Sequence, residues 1–495
     1  MGIVMRQSFK GTAVSYLGTA IGFITSFFIL TKYLTPEEIG LTRVIYEVAL
    51  LIANIALVGI PYTAIKFYPY FEDRKNNDNG FFFYLILLPT IGFIVSVILY
   101  LLFKTQIIAF FTNENSILFS EYYYWVIPLM LIIVYWIAME AYSSLKMRIA
   151  VPKFIREVLV RILLLIVYIL FAWNLFNLDG LVFWYIFSYF VALISIVFYV
   201  SKIGSVSFKH DYKYIDESLK KNIGNYILFT IIATLGGGVL LQLDLFMVSS
   251  KIGLDAAGIY SIAFLITSFI EMPSRSISTI ASPLVSTSMK NGNIQEVNDL
   301  YKKVSIHQFI AGSFIFLLIW CNIRNIFAIM PNGDIYEAGI WVVFFIAISR
   351  LISMTFNLSN SIIIFSKYYY WVLGFSLIIT AIGITANLLL IPIWGITGAA
   401  IATLIAALIS TIFQLFVVFN KVKCNPLSWG LLKYIGILFF MFALNQILPE
   451  WSNYHIVDAI YRTLVLSTIM VYVVYKMRIS EDICFIINKI IKRSR

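Results

Sequence analysis

The sequence predicts an all-α polytopic membrane protein of about fourteen transmembrane helices, and three observations carry that expectation. Hydrophobic residues make up 61% of the 495-residue chain and charged ones only 12%. A soluble domain is nearer half apolar and a quarter charged, so a soluble fold could not cover its surface with this composition. The mean hydropathy is +0.91. Apolar runs of about 20 residues, the length that crosses a bilayer core, recur along the whole chain. The same figures exclude a disordered chain, a disulfide-stapled miniprotein and a coiled coil.

The first run, 11–33, follows Arg6 and Lys10. It is too long for a signal-peptide core and has no small-residue cleavage site, so it reads as a retained helix. Spans 38–66, 81–103, 122–145, 157–175 and 180–201 complete a first set of six. The connection 202–222 carries Phe208, Tyr212, Ile215 and Leu219 at helical spacing among Lys and Asp. That pattern suits an amphipathic helix lying on the membrane face. A second set follows at 223–250, 256–286, 304–328, 337–366, 369–391 and 396–419, then two more spans at 428–448 and 456–476. The tail 479–495 sets Ile479, Ile483, Ile486, Ile487 and Ile490 against Lys489, Lys492 and Arg493, a second amphipathic anchor. The expected organisation is a six-helix lobe (1–202), a linker (203–222), a second six-helix lobe (223–420), helices 13 and 14 (421–478) and a basic tail (479–495).

Fourteen spans put both ends of the chain on one side. Of the 36 basic residues, 27 fall on that side and four on the other, with Arg43, Arg275, Arg350, Lys433 and Arg462 inside spans. Basic loops stay cytoplasmic, so both ends are expected to be cytoplasmic. The net charge of +11 then belongs against acidic lipid head groups rather than nucleic acid. Cys321, Cys424 and Cys484 are odd in number and far apart, which fits neither a disulfide framework nor a metal site.

The chain repeats itself at an offset of 218. LTPEEIGL at 34–41 matches IGLDAAGI at 252–259, Gly18 meets Gly236, and Gly180 meets Gly398. Six spans per copy is an even number, so the copies enter the membrane from the same side as parallel repeats. Two such lobes around a central cavity make an alternating-access transporter body.

Ionisable groups at membrane depth are costly and mark pathways or ligand sites. Arg350 lies mid-span with no partner within a helical turn. Glu271 and Arg275 are four residues apart on one helix face, with Pro273 between them; they read either as a neutralised structural pair or as ligand-facing groups. Asp244, Arg43, Glu47 and Glu140 are the other charges within spans singled out as cavity or coupling candidates. Lys66, Lys146 and Arg148 sit at span ends and read as snorkelling residues. Guanidinium groups match phosphate bidentately and stay charged, so Arg275 and Arg350 suit a diphosphate head group. One of the acids would carry a coupling proton or sodium ion. No P-loop, no H-E-x-x-H and only three histidines occur; no catalytic residue, cofactor or resident metal is expected.

The segment 30–46, LTKYLTPEEIGLTRVIY, resembles the first-loop signature of bacterial polysaccharide-biosynthesis flippases (Wzx-like; O-antigen, capsule and exopolysaccharide). These belong to the multidrug/oligosaccharidyl-lipid/polysaccharide exporter superfamily. Leu34-Thr35-Pro36-Glu37-Glu38-Ile39-Gly40 looks like the family's small-Pro-acid-acid-aromatic-Gly turn, with Ile39 in the aromatic position. The resemblance implies transport of an undecaprenyl-diphosphate-linked oligosaccharide from the inner to the outer leaflet, with polysaccharide assembly proteins as partners. Arg275 and Arg350 match the family's cationic lumen by position in their spans. Two rivals stand beside it: a multidrug/cation antiporter of the same fold, and a membrane glycan polymerase or ligase.

Overall fold

The computed structural model describes residues 3–73, 77–111, 117–203, 217–237, 240–450 and 454–477. Most of the linker and the tail 479–495, including Cys484, lie outside the described residues. Every regular element among the described residues is helical, and the chain is a multi-pass membrane protein. Eleven helices among the described residues are long and apolar enough to cross a membrane, and helix covers each of the fourteen expected spans. The difference has local causes. The 53-residue stretch Tyr370–Val422 contains two expected spans, separated at Gly395, where φ is 57° and ψ −136° just after Pro392. Span 157–175 begins among Arg156, Glu157 and Arg161, and span 223–250 comes as two helices, Glu217–Gly237 and Leu240–Lys251.

Span 38–66 also divides, into Pro36–Ala56 and Ile60–Phe71. Val58 (φ 52°) and Gly59 (φ 67°) are both left-handed, a conformation that is rare for a β-branched residue. At Gly59 a side chain would overlap Thr230, so close helix approach requires glycine there.

The L-T-P-E-E-I-G motif starts the helix Pro36–Ala56. Thr35 Oγ1 accepts from Glu38 N (3.2 Å) and Glu38 Oε2 accepts from Thr35 N (2.8 Å), a reciprocal capping box. Pro36 stands at the first helical position, where its missing N–H costs nothing. Glu37 and Glu38 face the positive helix end, and Ile39 is buried.

The chain divides into two compact units, residues 1–261 with 376–396, and 262–375 with 397–495. In the first, Phe67, Phe71, Phe82, Trp136, Tyr142 and Ile196 form a core. At the loop below this core, Lys146 Nζ donates to buried Asp78 Oδ2 at 2.7 Å and to Tyr68 Oη. In the second unit, Tyr301, Ile362, Val418 and Cys424 form one cluster. Leu317, Tyr434, Met441 and Leu466 form another. Cys321 and Cys424 are buried free thiols.

Candidate functional site

The second unit contains a polar seam along the serine-rich helix Met272–Lys290. Glu271, Ser274, Ser278 and Ser282 recur at three- and four-residue spacing, so they lie along one helix face. Arg350 and Ser361 face them from the helices Ile340–Thr355 and Leu358–Ile364, and Asn357 from the turn between those two. Arg350 Nη1 meets Glu271 Oε2 at 3.0 Å. Asn357 Nδ2 donates to Ser274 Oγ (3.1 Å) and Ser278 Oγ (3.0 Å). Ser282 and Ser361 hydroxyls are 3.0 Å apart. Polar rungs of this kind join helices where lipid offers no hydrophobic drive for association.

Arg350 has a second contact: its guanidinium lies over the Phe264 ring, 4.1 Å from the centroid. One carboxylate and one aromatic face thus hold a buried charge. The sequence reading found no partner for Arg350 within its own turn; the partner is on another helix. Arg350 is 8% exposed, while Glu271 keeps 35% of its side chain accessible and Arg275, one turn on, is exposed. The seam therefore has an accessible end bearing the Glu271 carboxylate and the Arg275 guanidinium, with the Arg350 guanidinium buried behind Glu271.

In the first unit Arg43 lies in the electrostatic field of Tyr168, Tyr185, Tyr189 and Glu47. Tyr46 stacks near Tyr189, centroids 5.5 Å apart. Arg43, Tyr46 and Glu47 are each half-buried. Asp244 is elsewhere in the same unit, 5% exposed. Asn387 Nδ2 donates to its Oδ1 at 2.7 Å and Tyr260 Oη to its Oδ2 at 3.5 Å. Glu140 meets Arg156 Nη1 at 2.9 Å in a half-exposed chain that runs through Glu157 to Arg161.

The structure thus brings Glu271 and Arg350 together, and Arg43 with Glu47, but sets Asp244 and Glu140 in separate clusters. Sequence reasoning missed Ser274, Ser278, Asn357 and Phe264. The serine-rich run after Glu271 was a usable signal, since so many hydroxyls in a membrane span call for partners on a neighbouring helix. Asn387 and the aromatic walls had no such signal. Among the described residues no group of three or more His, Cys, Asp or Glu could hold a metal ion.

Comparison with known proteins gives the following. A family model described as polysaccharide biosynthesis protein matches residues 5–289, more than half of the chain. No curated protein matches the sequence. Among solved structures the chain is similar to the lipid II flippase MurJ in an inward closed conformation, with a TM-score of 0.71 and 14% identity over 95% of this chain and 99% of that one. It is similar to an inward-facing multidrug resistance MATE family transporter of the MOP superfamily, TM-score 0.61 and 14% identity over 84% and 99%. It is also similar to a MOP superfamily transporter from Pyrococcus furiosus, TM-score 0.55 and 15% identity over 86% and 96%. At these identities the likeness is one of fold.

Proposed function

The chain belongs to the polysaccharide biosynthesis protein family, and from that premise we propose that it is a flippase for a polyprenyl-diphosphate-linked oligosaccharide, carrying it from the inner to the outer leaflet of a bacterial inner membrane. The carrying observation is the accessible end of the polar seam, where Arg350, Glu271 and Arg275 stand within otherwise apolar spans. Arg350 and Arg275 hold the diphosphate. Glu271 occupies Arg350 when the site is empty, so the guanidinium is never left buried without a counter-charge. An arriving diphosphate displaces that carboxylate, and release of substrate restores the pair. The lipid tail stays in the bilayer while the two repeat lobes, 1–202 and 223–420, rock about the site. Residues 421–478 add helices 13 and 14, and the linker 203–222 and the tail 479–495 carry the basic residues expected of cytoplasmic segments. Asp244, and Glu47 beside Arg43, are the coupling acids for a proton or sodium ion, and Glu140 supports the inner end of the first lobe.

The test is complementation of a strain lacking its own flippase. Arg275→Ala and Arg350→Ala abolish surface glycan at unchanged protein level, and lysine replacements restore it only in part because an ammonium cannot bind bidentately. Normal glycan in both alanine variants removes the assignment. A multidrug/cation antiporter is the second reading, favoured by the buried, doubly hydrogen-bonded Asp244 and by the fold shared with the MATE family transporter. Cation-dependent dye efflux that is lost in Asp244→Asn, with no effect on glycan, selects it.

A further inference from the structure

Unit 1 carries an apolar groove of about 260 Å³ along the helices Ile60–Phe71, Phe81–Leu102 and Glu217–Gly237. It is larger than the roughly 150 Å³ apolar cavity that stays dry and takes up benzene. Its wall is almost wholly apolar. The Thr63 hydroxyl in that wall donates to Gly59 O at 3.0 Å, so it asks nothing of an occupant. At Gly224 the wall falls back: a side chain there would meet nothing within 4 Å. Two exposed lysines stand at the rim. Lys220 lines the groove. Lys66 lies over the Tyr226 ring at 3.8 Å, and that ring packs edge-on against Phe67 of the wall. Among the described residues no acid lines the groove.

An apolar groove beside two cations matches a molecule with an apolar chain and an anionic head. We infer that the groove is a docking site for one acyl chain of an anionic phospholipid, with its phosphate held by Lys66 and Lys220. An unfilled hollow of this size loses the dispersion contacts of its lining, and a bilayer chain restores them. The lysines select the head group, since juxtamembrane cations attract anionic lipid. The inference does not depend on the flippase reading; a bound lipid here would stabilise the first unit whatever the chain transports.

The experiment is native mass spectrometry of the purified full chain with phosphatidylglycerol, phosphatidylcholine or undecaprenyl phosphate as probe. The wild type retains one phosphatidylglycerol through activation energies that strip phosphatidylcholine. Gly224→Leu, whose Cβ meets nothing within 4 Å, projects a side chain into the groove and loses that lipid. Lys66→Gln with Lys220→Gln binds it about tenfold more weakly and no longer discriminates head groups. Gly436→Leu, at another glycine with open space around it, behaves as wild type. Retention of phosphatidylglycerol in Gly224→Leu overturns the inference. So does an equal loss in Gly436→Leu, equal retention of phosphatidylcholine by the wild type, or stronger retention of undecaprenyl phosphate at the same groove. Gel filtration and melting of each variant separate lipid loss from misfolding.

Discussion

Gly40 and Gly258 are packed reciprocally: a side chain at Gly40 would overlap Leu254 O, and one at Gly258 would overlap Pro36 O. Adding 218 to Pro36 and Gly40 gives Leu254 and Gly258, so the repeat offset maps each half of this contact onto the other. The two helix starts meet as the halves of a two-fold interface do. Because both obstacles are backbone carbonyls, neither can yield. Gly40→Leu and Gly258→Leu are each expected to destabilise by about 1–3 kcal/mol or more through overpacking, read as a lower melting temperature in detergent. If either leucine variant melts like wild type, the contact is not a fixed feature of the fold.

The Glu271–Arg350 pair separates structure from function. Glu271→Gln leaves a mostly buried guanidinium without its counter-charge and is expected to lower stability by up to about 3–5 kcal/mol, less in proportion to the exposure of Glu271. Glu271→Arg combined with Arg350→Glu restores the ion pair. The melting temperature of the swap should recover while surface glycan stays absent, because Phe264 no longer presents a cation to the substrate. Recovery of both would make the pair purely structural.

Asp458 and Arg462 form a second buried pair, at 4% and 3% exposure. Arg462 Nε donates to Asp458 Oδ2 at 2.8 Å and its Nη1 to Asn445 Oδ1 at 2.9 Å; Asn325 Nδ2 donates to the same Asp458 oxygen at 2.6 Å. Asp458→Ala is expected to cost about 3–5 kcal/mol, and Asp458→Leu with Arg462→Met to regain most of it. Thermal melts of the single and double variants decide this; a double variant no better than the single would contradict the ion-pair account.

The capping box gives a smaller effect. Thr35→Ala removes the acceptor for Glu38 N and should cost about 1 kcal/mol. Thr35→Ser should be close to neutral. The two melting curves, compared directly, must differ in that order.

Lys146 lies just past the end of its span. Burial pushes its ammonium pKa down, but the hydrogen bonds it donates to Asp78 and Tyr68 outweigh burial and leave it above the usual lysine value. A raised folded pKa means that the contribution is complete below the unfolded value of about 10.4 and fades only as pH climbs through the folded one. Lys146→Gln should therefore lower the melting temperature by the same amount at every pH between about 6 and 9. A loss that varies across that window would show another group titrating.

Much of the fold was legible in the sequence because a bilayer imposes length and polarity on each span separately. Helix covers every expected span, and the Leu34–Gly40 motif announced a helix start whose cap, proline and close-packing glycine the structure displays. The breaks were less legible. Val58 adopts a left-handed conformation that its chemistry disfavours, and only its neighbours hold it there. For the site, periodicity fixed the face of Glu271, Ser274 and Ser278 but not the helix that would meet it.

By itself the sequence determined the class of protein, the charge asymmetry of its loops, the repeat and the short roll of charges inside spans. Each is a property of composition or spacing along one segment. Tertiary structure alone decided that Arg350 pairs with Glu271 over Phe264, that Asp244 is held by Asn387, and that Gly40 and Gly258 interlock. The physical reason is that a helix determines which side chains share a face, whereas the partner for that face comes from a segment distant in the chain, selected by packing of the whole.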